Sequence, residues 1–354
     1  IAQKLIDFAK ILVGRIPGGL AHTNILGNTL FGSLSGSSVA ASVAIGGVLI
    51  PMEEKEGYDK KFAAAVNIAS APTGLIIPPS GILIIYPVLA GCSVVGMIMS
   101  GYIPGLMWAL ACMVVAYVIA KKNHYPTAGK VPASVFFKYF VDAIPSLLLI
   151  VIIVGGVMSG IFTATESAAV AVAYTLFLSI VVYRSIKIKD LPKILLDACE
   201  TTAVIMFLIA GSNVMSFVMS FTGLPSAIGN ALISVSSNKY VILLIINLVL
   251  LVVGCFMDIT PAVLIFTPIF LPVVQSFGMD PIHFGIMMVM NLSIGNITPP
   301  VGSALFSGCS VADMDMEDMI KPVLPFYAAI FVALMLVAYV PWFSMALPTL
   351  FGAV

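Results

Sequence analysis

Asp258 is the residue whose position most needs a chemical reason. It stands in Cys255-Phe256-Met257-Asp258-Ile259-Thr260-Pro261, and no lysine or arginine occurs between Lys239 and Lys321. A lone carboxylate in apolar surroundings is costly to keep charged, so it reads as a cation ligand or a proton carrier, against the plainer alternative of a protonated or peptide-capping aspartate. Hard cations such as sodium favour oxygen ligands, and the sequence offers two oxygen-bearing sets. The first is Ser35, Ser37, Ser38, Thr73 and Gly74; the second is Asp258, Thr260, Gly295, Asn296 and Thr298.

The two sets are related by a repeat. Leu75-Ile76-Ile77-Pro78-Pro79-Ser80-Gly81 returns 221 positions later as Asn296-Ile297-Thr298-Pro299-Pro300-Val301-Gly302. The same shift carries Pro51 to Pro272, Gly57 to Gly278, Asp59 to Asp280, Gly74 to Gly295, and Ser37 to Asp258. A further match, Gly91-Cys92-Ser93-Val94 with Gly308-Cys309-Ser310-Val311, sits at a shift of 217. Two halves with Gly/Pro interruptions at corresponding apolar positions point to the binding site of a secondary transporter.

Each half is expected to hold an interfacial helix (residues 1–15, matched by 222–236), a segment that enters and leaves by one face, and a broken span. The tips are Phe31-Gly32-Ser33-Leu34-Ser35-Gly36-Ser37-Ser38 and the run around Asp258. The breaks are Ser70-Ala71-Pro72-Thr73-Gly74 and Ser293-Ile294-Gly295-Asn296-Ile297-Thr298, each just before its Pro-Pro pair. Proline lacks an N–H and clashes with the preceding turn, so paired prolines leave carbonyls unpaired. Such carbonyls cost several kcal/mol each in hydrocarbon unless something binds them. Small-residue packing around a kink is the alternative; retention of oxygen-bearing side chains in both copies favours ion or substrate binding.

Stepping outward, 60% of residues are hydrophobic and 9% charged, with a mean hydropathy of +1.14. A soluble domain cannot hide that much apolar surface. Runs near 103–120, 143–160, 167–183, 201–220, 240–257 and 323–350 each approach the ~20 residues that cross hydrocarbon. No lumen-facing alternation of polar residues occurs, so helices and not a barrel are expected. The five cysteines form no C-x-x-C pair and read as packing residues. Zero net charge, with no basic stretch interleaved with aromatics, argues against nucleic acid.

Lysines and arginines give an orientation, because short cytoplasmic loops accumulate them. With Lys121, Lys122, Lys130 and Lys138 inside, alternate crossings place Lys55, Lys60 and Lys61, and Arg184, Lys187, Lys189 and Lys193, inside as well. Only Lys239 of the sixteen then falls outside. The second copy starts on the opposite side from the first, so the halves are expected to be inverted repeats. Glu166, in Thr163-Ala164-Thr165-Glu166, fits a capping box at a helix start, and His283 beside Pro281 is expected at an interface. No cation lies deep in a span, so an anionic substrate would rely on bound cations, hydroxyls and helix N-termini.

At this point the residues carry a family resemblance. Gly18-Gly19-Leu20-Ala21-His22, Ser35-Gly36-Ser37, Gly57-Tyr58-Asp59, Ile77-Pro78-Pro79-Ser80 and Ile103-Pro104-Gly105-Leu106 resemble the large, DctM-like membrane subunit of tripartite ATP-independent periplasmic (TRAP) transporters. The second half agrees through Gly160-Ile161-Phe162-Thr163-Ala164-Thr165-Glu166, Asp280-Pro281 and Ile297-Thr298-Pro299-Pro300-Val301-Gly302. The match covers essentially the whole chain, and such subunits begin further upstream, so an N-terminal portion is expected to be missing.

The resemblance implies an all-α polytopic membrane protein whose inverted repeats each carry a re-entrant helical hairpin and a broken transmembrane helix, of the ion-transporter-superfamily, elevator type. It implies residues 1–102 as first repeat, 103–200 as connecting scaffold, 201–321 as second repeat and 322–354 as a C-terminal scaffold helix. It also implies sodium-coupled import of an organic acid, sialic acid or a C4-dicarboxylate, across the bacterial inner membrane. A small Q-type membrane subunit and a P-type periplasmic binding protein would be the partners. Two sodium ions would bind at Ser37, Ser38, Thr73 and Gly74 and at Asp258, Thr260, Gly295 and Thr298. Substrate would sit between the tips at Ser35, Gly36, Ser37, Thr73, Asn296 and Thr298.

Rival functions lack residues. No G-x-x-x-x-G-K-[ST] occurs, so a primary pump would need another subunit for ATP. None of His22, His124 and His283 is followed by Glu, and no His is evidently partnered with a nucleophile, so an intramembrane enzyme has no apparatus. A proton-coupled organic anion transporter or an ion channel of the same fold are the alternatives the sequence leaves open.

Overall fold

A computed structural model describes residues 2–127, 133–224, 227–228, 231, 236 and 238–353, and among these the regular structure is entirely helical. The first half contains α1 (Ala2–Val13), α2 (Gly19–Ser35), α3 (Ser38–Lys55), α4 (Lys60–Ser70), α5 (Thr73–Ile76), α6 (Ile82–Ala90), α7 (Val94–Ser100) and α8 (Tyr102–Lys122). Then follow α9 (Ala133–Met158), α10 (Ala164–Phe177) and α11 (Leu191–Thr222). The second half contains α12 (Lys239–Phe256), α13 (Ile259–Gln275), α14 (Pro281–Gly295), α15 (Ser303–Ala312), α16 (Met316–Tyr339) and α17 (Trp342–Leu350).

The repeat is structural as well as textual. Shifted by 221, α2 falls on residues 240–256, α3 on 259–276, α4 on 281–291 and α6 on 303–311, which are the positions of α12, α13, α14 and α15. At 217, α8 falls on 319–339, within α16. The proposed partner of α1, residues 222–236, lies mostly outside the described residues. Helix α11 runs straight through position 200.

Local chemistry accounts for the repeated residues. Asp59 and Asp280 are N-caps whose carboxylates accept from the N–H groups of Lys61 (2.9 Å) and Ile282 (2.7 Å). Gly57 and Gly278 have φ of +87° and +75°, a conformation that a side chain resists. Ser37 caps α3 through Ala40 N at 3.2 Å, and both Pro-Pro bonds are cis.

Helices long and apolar enough to cross a bilayer are Val94–Lys122, Tyr139–Met158, Thr165–Val182, Ile188–Met219, Lys239–Phe256 and Met316–Tyr339. Two sequence expectations need correction. The span expected over 323–350 ends at Tyr339, because Pro341 cannot continue the ladder, and α17 is a separate helix. The second break falls within the run 293–298, where the helical ladder ends at Asn296 and the N–H groups of Ile297 and Thr298 turn back to Ile294 O and Gly295 O. His283, expected at an interface, is buried with its Nε2 bonded to Val337 O at 2.8 Å, joining α14 to α16. The Thr163–Glu166 capping box is present as expected. No disulfide forms; Cys112 and Cys309 are buried, while Cys199 is exposed.

Helices α2 and α3 pack as a hairpin, as do α12 and α13, and each first arm lies on the break of its own half: α2 on α5, α12 on α14. Across the halves the packing is reciprocal. Helix α3 packs on α15 and α13 on α6, the exchange expected of an internal two-fold. The arm-to-break contact is backbone on backbone. A Cβ added to Gly74 would lie 2.3 Å from Gly32 Cα, and one added to Gly295 would lie 2.5 Å from Gly254 Cα.

At the base of the first hairpin the side chain of Glu53 is fully buried and has no salt bridge among the described residues. It belongs to the charged segment 53–61, outside the six apolar helices. Burial pushes its carboxyl well above the usual range; the Asn24 amide opposes this and the like charge of Glu56 adds to it. Tyr58 closes the base by stacking on Tyr125 at 4.5 Å and bonding Pro126 O at 3.0 Å.

Two outcomes follow. Gly74→Ala forces hairpin and break apart and costs about 1–3 kcal/mol of stability, whereas Gly211→Ala, with nothing within 4 Å, leaves the melting temperature in detergent nearly unchanged. A folded-state pKa raised at Glu53 means native stability falls as pH climbs above the unfolded carboxylate value. Glu53→Gln therefore raises the melting temperature at pH 8, with the gain shrinking toward pH 5; a gain that grows with acidity would contradict the assignment.

Candidate functional site

The two hairpin tips and the two breaks meet around a cavity of about 270 Å³. Four helices begin at its wall: α3 at Ser38, α6 at Ile82, α13 at Ile259 and α15 at Ser303. The first N–H groups of a helix have no partner within it and carry partial positive charge, so four such ends make an anion-attracting wall. Among the described residues no lysine or arginine lines the cavity, and Asp258 is its one ionisable side chain.

One corner is a hydrogen-bonded cluster that crosses the halves. Asn296 Nδ2 donates to Ser38 Oγ at 2.8 Å. Asn296 Oδ1 accepts from Ser303 Oγ in a short contact and from Ala304 N at 3.2 Å. Asn296 O also accepts from Ala304 N, at 3.1 Å. A single buried amide thus caps α15, spans the second break and holds the tip of the first hairpin. Ser303 Oγ reaches Asp258 Oδ1 at 3.4 Å, and Asp258 does not spend its side chain as a cap on α13.

Of the residues expected to act, Gly36, Ser37, Ser38, Asp258, Thr260 and Asn296 line this cavity together. The others lie elsewhere. Thr73 is buried behind the tip, donating to Ser70 O at 2.7 Å, and Gly74 and Gly295 face the hairpin arms. Ser35 is exposed, with its hydroxyl 3.4 Å from Gly32 O and Ser37 O. Thr298 donates to Ile294 O at 2.7 Å and lines a different cavity beside Tyr327.

Residues that sequence reasoning missed complete the frame. Ser303 and, from α11, Ile205 line the cavity. Trp108 Nε1 donates to Ala69 O at 2.8 Å at the first break, and Tyr327 OH donates to Ile297 O at the second. Val301 N donates to Cys255 O at 3.2 Å, tying that break to its own hairpin. Ser303 had one sequence signal, being the repeat mate of Ile82; Trp108, Tyr327 and Ile205 had none.

A hard monovalent cation fits the donor set. Ser80 and Ser293, one at each break, have buried hydroxyl oxygens with no hydrogen-bond partner. Hydroxyls, carbonyls and one carboxylate dominate the neighbourhood, and no group of three His, Cys, Asp or Glu occurs among the described residues.

A sequence model of the family described as "Tripartite ATP-independent periplasmic transporter, DctM component" matches residues 1–343. The chain is 51% identical over 353 residues to the uncharacterized protein YgiK of Salmonella typhimurium, covering 99% of this chain and 81% of that one. It is 39% identical to the sialic acid TRAP transporter large permease protein SiaM of Vibrio cholerae, over 99% of this chain and 82% of that one. It is 38% identical to the C4-dicarboxylate TRAP transporter large permease protein DctM of Pseudomonas aeruginosa, with the same 99% and 82% coverage.

The cross-half bond makes Ser38 and Asn296 energetically dependent. Ser38→Ala and Asn296→Ala combined should destabilise by less than the sum of the singles, with a coupling of about 0.5–3 kcal/mol. Additive melting-temperature losses would show that the bond carries no weight.

Proposed function

This chain belongs to the DctM component family of the tripartite ATP-independent periplasmic transporters, and on that premise we propose that it is a sodium-coupled secondary importer of an organic acid. It is a permease component and not an enzyme. The relatives named for sialic acid and C4-dicarboxylates give the substrate class. A small subunit beside it in the bacterial inner membrane and a soluble periplasmic binding protein are the partners that the family implies.

One observation carries the reading: a cavity shared by both hairpin tips, faced among the described residues by four helix N-termini and hydroxyls but by no cationic side chain. Such a wall attracts a carboxylate, yet Asp258 within it repels one. A sodium ion supplies the missing positive charge. Asp258 and Thr260, with carbonyls at the second break, would hold one ion; Ser37, Ser38 and the carbonyls around Thr73 and Gly74 would hold the other. In this reading the hairpins and broken helices move together as the transport unit, in elevator fashion, while α8, α9, α10 and the C-terminal helices stay as scaffold. Asp258 unpaired resists crossing hydrocarbon, and Asp258 compensated does not, so coupling arises from desolvation cost.

The test is melting temperature of the detergent-purified protein in sodium, potassium and choline at equal ionic strength. A ligand bound only by the folded state stabilises it by about 2.7 kcal/mol at a hundredfold its Kd. The expected result is a sodium-specific rise that Asp258→Ala diminishes. Equal stability in all three cations at saturation removes sodium coupling and brings proton coupling through Asp258 forward.

A further inference from the structure

Each half carries one acid inside its helical body, and the two are not mates. Asp258 corresponds to Ser37 of the first half, while Glu53, the one fully buried acid among the described residues, corresponds to Val274. Neither carboxyl oxygen of Glu53 makes a hydrogen bond. No cation reaches it: Lys10 of α1 pairs with Glu56 and Lys60 of α4 with Glu54, both at 3.9 Å, and Lys61 pairs with Asp318 at 2.8 Å. Helix α2 presents His22, buried with both ring nitrogens unbonded, and Asn24, whose amide acts on Glu53 across a gap too long for a formal hydrogen bond. Tyr58 closes the base, and of the other helices packed on α3, α5 brings no titratable group and α15 only Cys309. A carboxyl enclosed in this way keeps its proton near neutrality.

A column of buried polar side chains leads from Glu53 and Asn24 through the first hairpin. Asn28 Nδ2 lies 2.9 Å from each of Asn24 Oδ1, Asn67 Oδ1 and Ser70 Oγ. Asn67 Nδ2 donates to Ser42 Oγ at 3.1 Å, and Ser70 O accepts from Thr73 Oγ1 at 2.7 Å. The column therefore ends at Thr73, within the first oxygen-bearing set. The second half has no such column: Ile245, Val249, Met288 and Val263 stand at the mates of Asn24, Asn28, Asn67 and Ser42, and only Asn291, in place of Ser70, is polar. The second set has a carboxylate of its own in Asp258, whereas the first has neutral oxygens alone. An ion bound there would leave a positive charge without a partner in an apolar body.

We infer that Glu53 is the counter-charge of the first cation site: it holds a proton until a sodium ion binds there, and then releases it. The inference rests on the sodium-coupled reading above and deepens it. The O–H bond of the carboxyl breaks, the proton passes to water at the base of the hairpin, and the carboxylate stays against the Asn24 amide. One positive charge replaces another, so the net charge of the bundle is unchanged. Hydrogen-bonded amides in series, in surroundings of low dielectric, carry the influence of that charge along the column. By linkage, a proton on Glu53 weakens sodium binding as much as sodium weakens the hold on the proton.

The test adds sodium chloride to the detergent-purified protein in weak buffer at about pH 7, with a pH-indicating dye reading the protons released and choline chloride as the blank. Melting temperature is followed in the same samples. The wild type should release about 0.5–1 proton per protein at saturating sodium. Glu53→Gln, neutral and of the same shape, should release less by about that amount while sodium still raises its melting temperature. Sodium that stabilises the wild type without releasing a proton overturns the inference and leaves the sodium-coupled reading in place; this arm needs no variant. Undiminished release from Glu53→Gln also overturns it, and moves the proton to another group, Asp258 first. Absence of any sodium-specific stabilisation strikes the sodium-coupled reading and this inference with it.

Discussion

A helix interrupted inside an apolar body exposes backbone groups that must find partners, and the arrangement of this fold follows from that requirement. At the first break Trp108 reaches across from α8 to take the carbonyl of Ala69. At the second, Tyr327 from α16 takes the carbonyl of Ile297, and Asn296 folds back to cap α15. The helices that flank each break are thus placed by where carbonyls were released as much as by apolar burial. Around the cavity stand four helix starts, two of them capped by Ser37 and Asn296, and an aspartate that caps none of them.

Much of this was legible in the sequence because it is written in residues with local consequences. Glycine at 57 and 278, aspartate at 59 and 280, and the paired prolines act within one turn of where they stand, so the repeat, the tips and the breaks could be read directly. The hydroxyls at Ser37 and Ser38 and the carboxylate of Asp258 were visible as chemistry out of place. The remainder depends on distance in space. Nothing near Trp108 marks it as a carbonyl donor, and Ile205 lies on a helix whose sequence resembles any lipid-facing span. Thr298 shows the opposite error, since its place in the repeated motif suggested the cavity while the turn after α14 brings it beside Tyr327.

The duplication also shows how far two copies can diverge while their backbones remain matched. Helix positions agree across 221 residues, yet at four cavity pairs, Ser38 with Ile259, Thr260 with Val39, Asn296 with Leu75 and Ser303 with Ile82, one copy is polar and the other aliphatic. Backbone symmetry brings the helix ends together; side-chain asymmetry gives the space a direction. A symmetric shell alone would accept a symmetric ligand, and this one does not present the same surface at both ends.

The glycine contacts between hairpin and break, Gly32 against Gly74 and Gly254 against Gly295, bear on this divergence. With no side chain between the backbones, the spacing there is set by van der Waals contact of backbone atoms and not by the volume of any variable residue. They act as gauge blocks. Lining residues such as Leu75 or Ile82 can then be exchanged over generations while the span of the chamber is held constant, so that a new cargo requires a new wall and not a new frame.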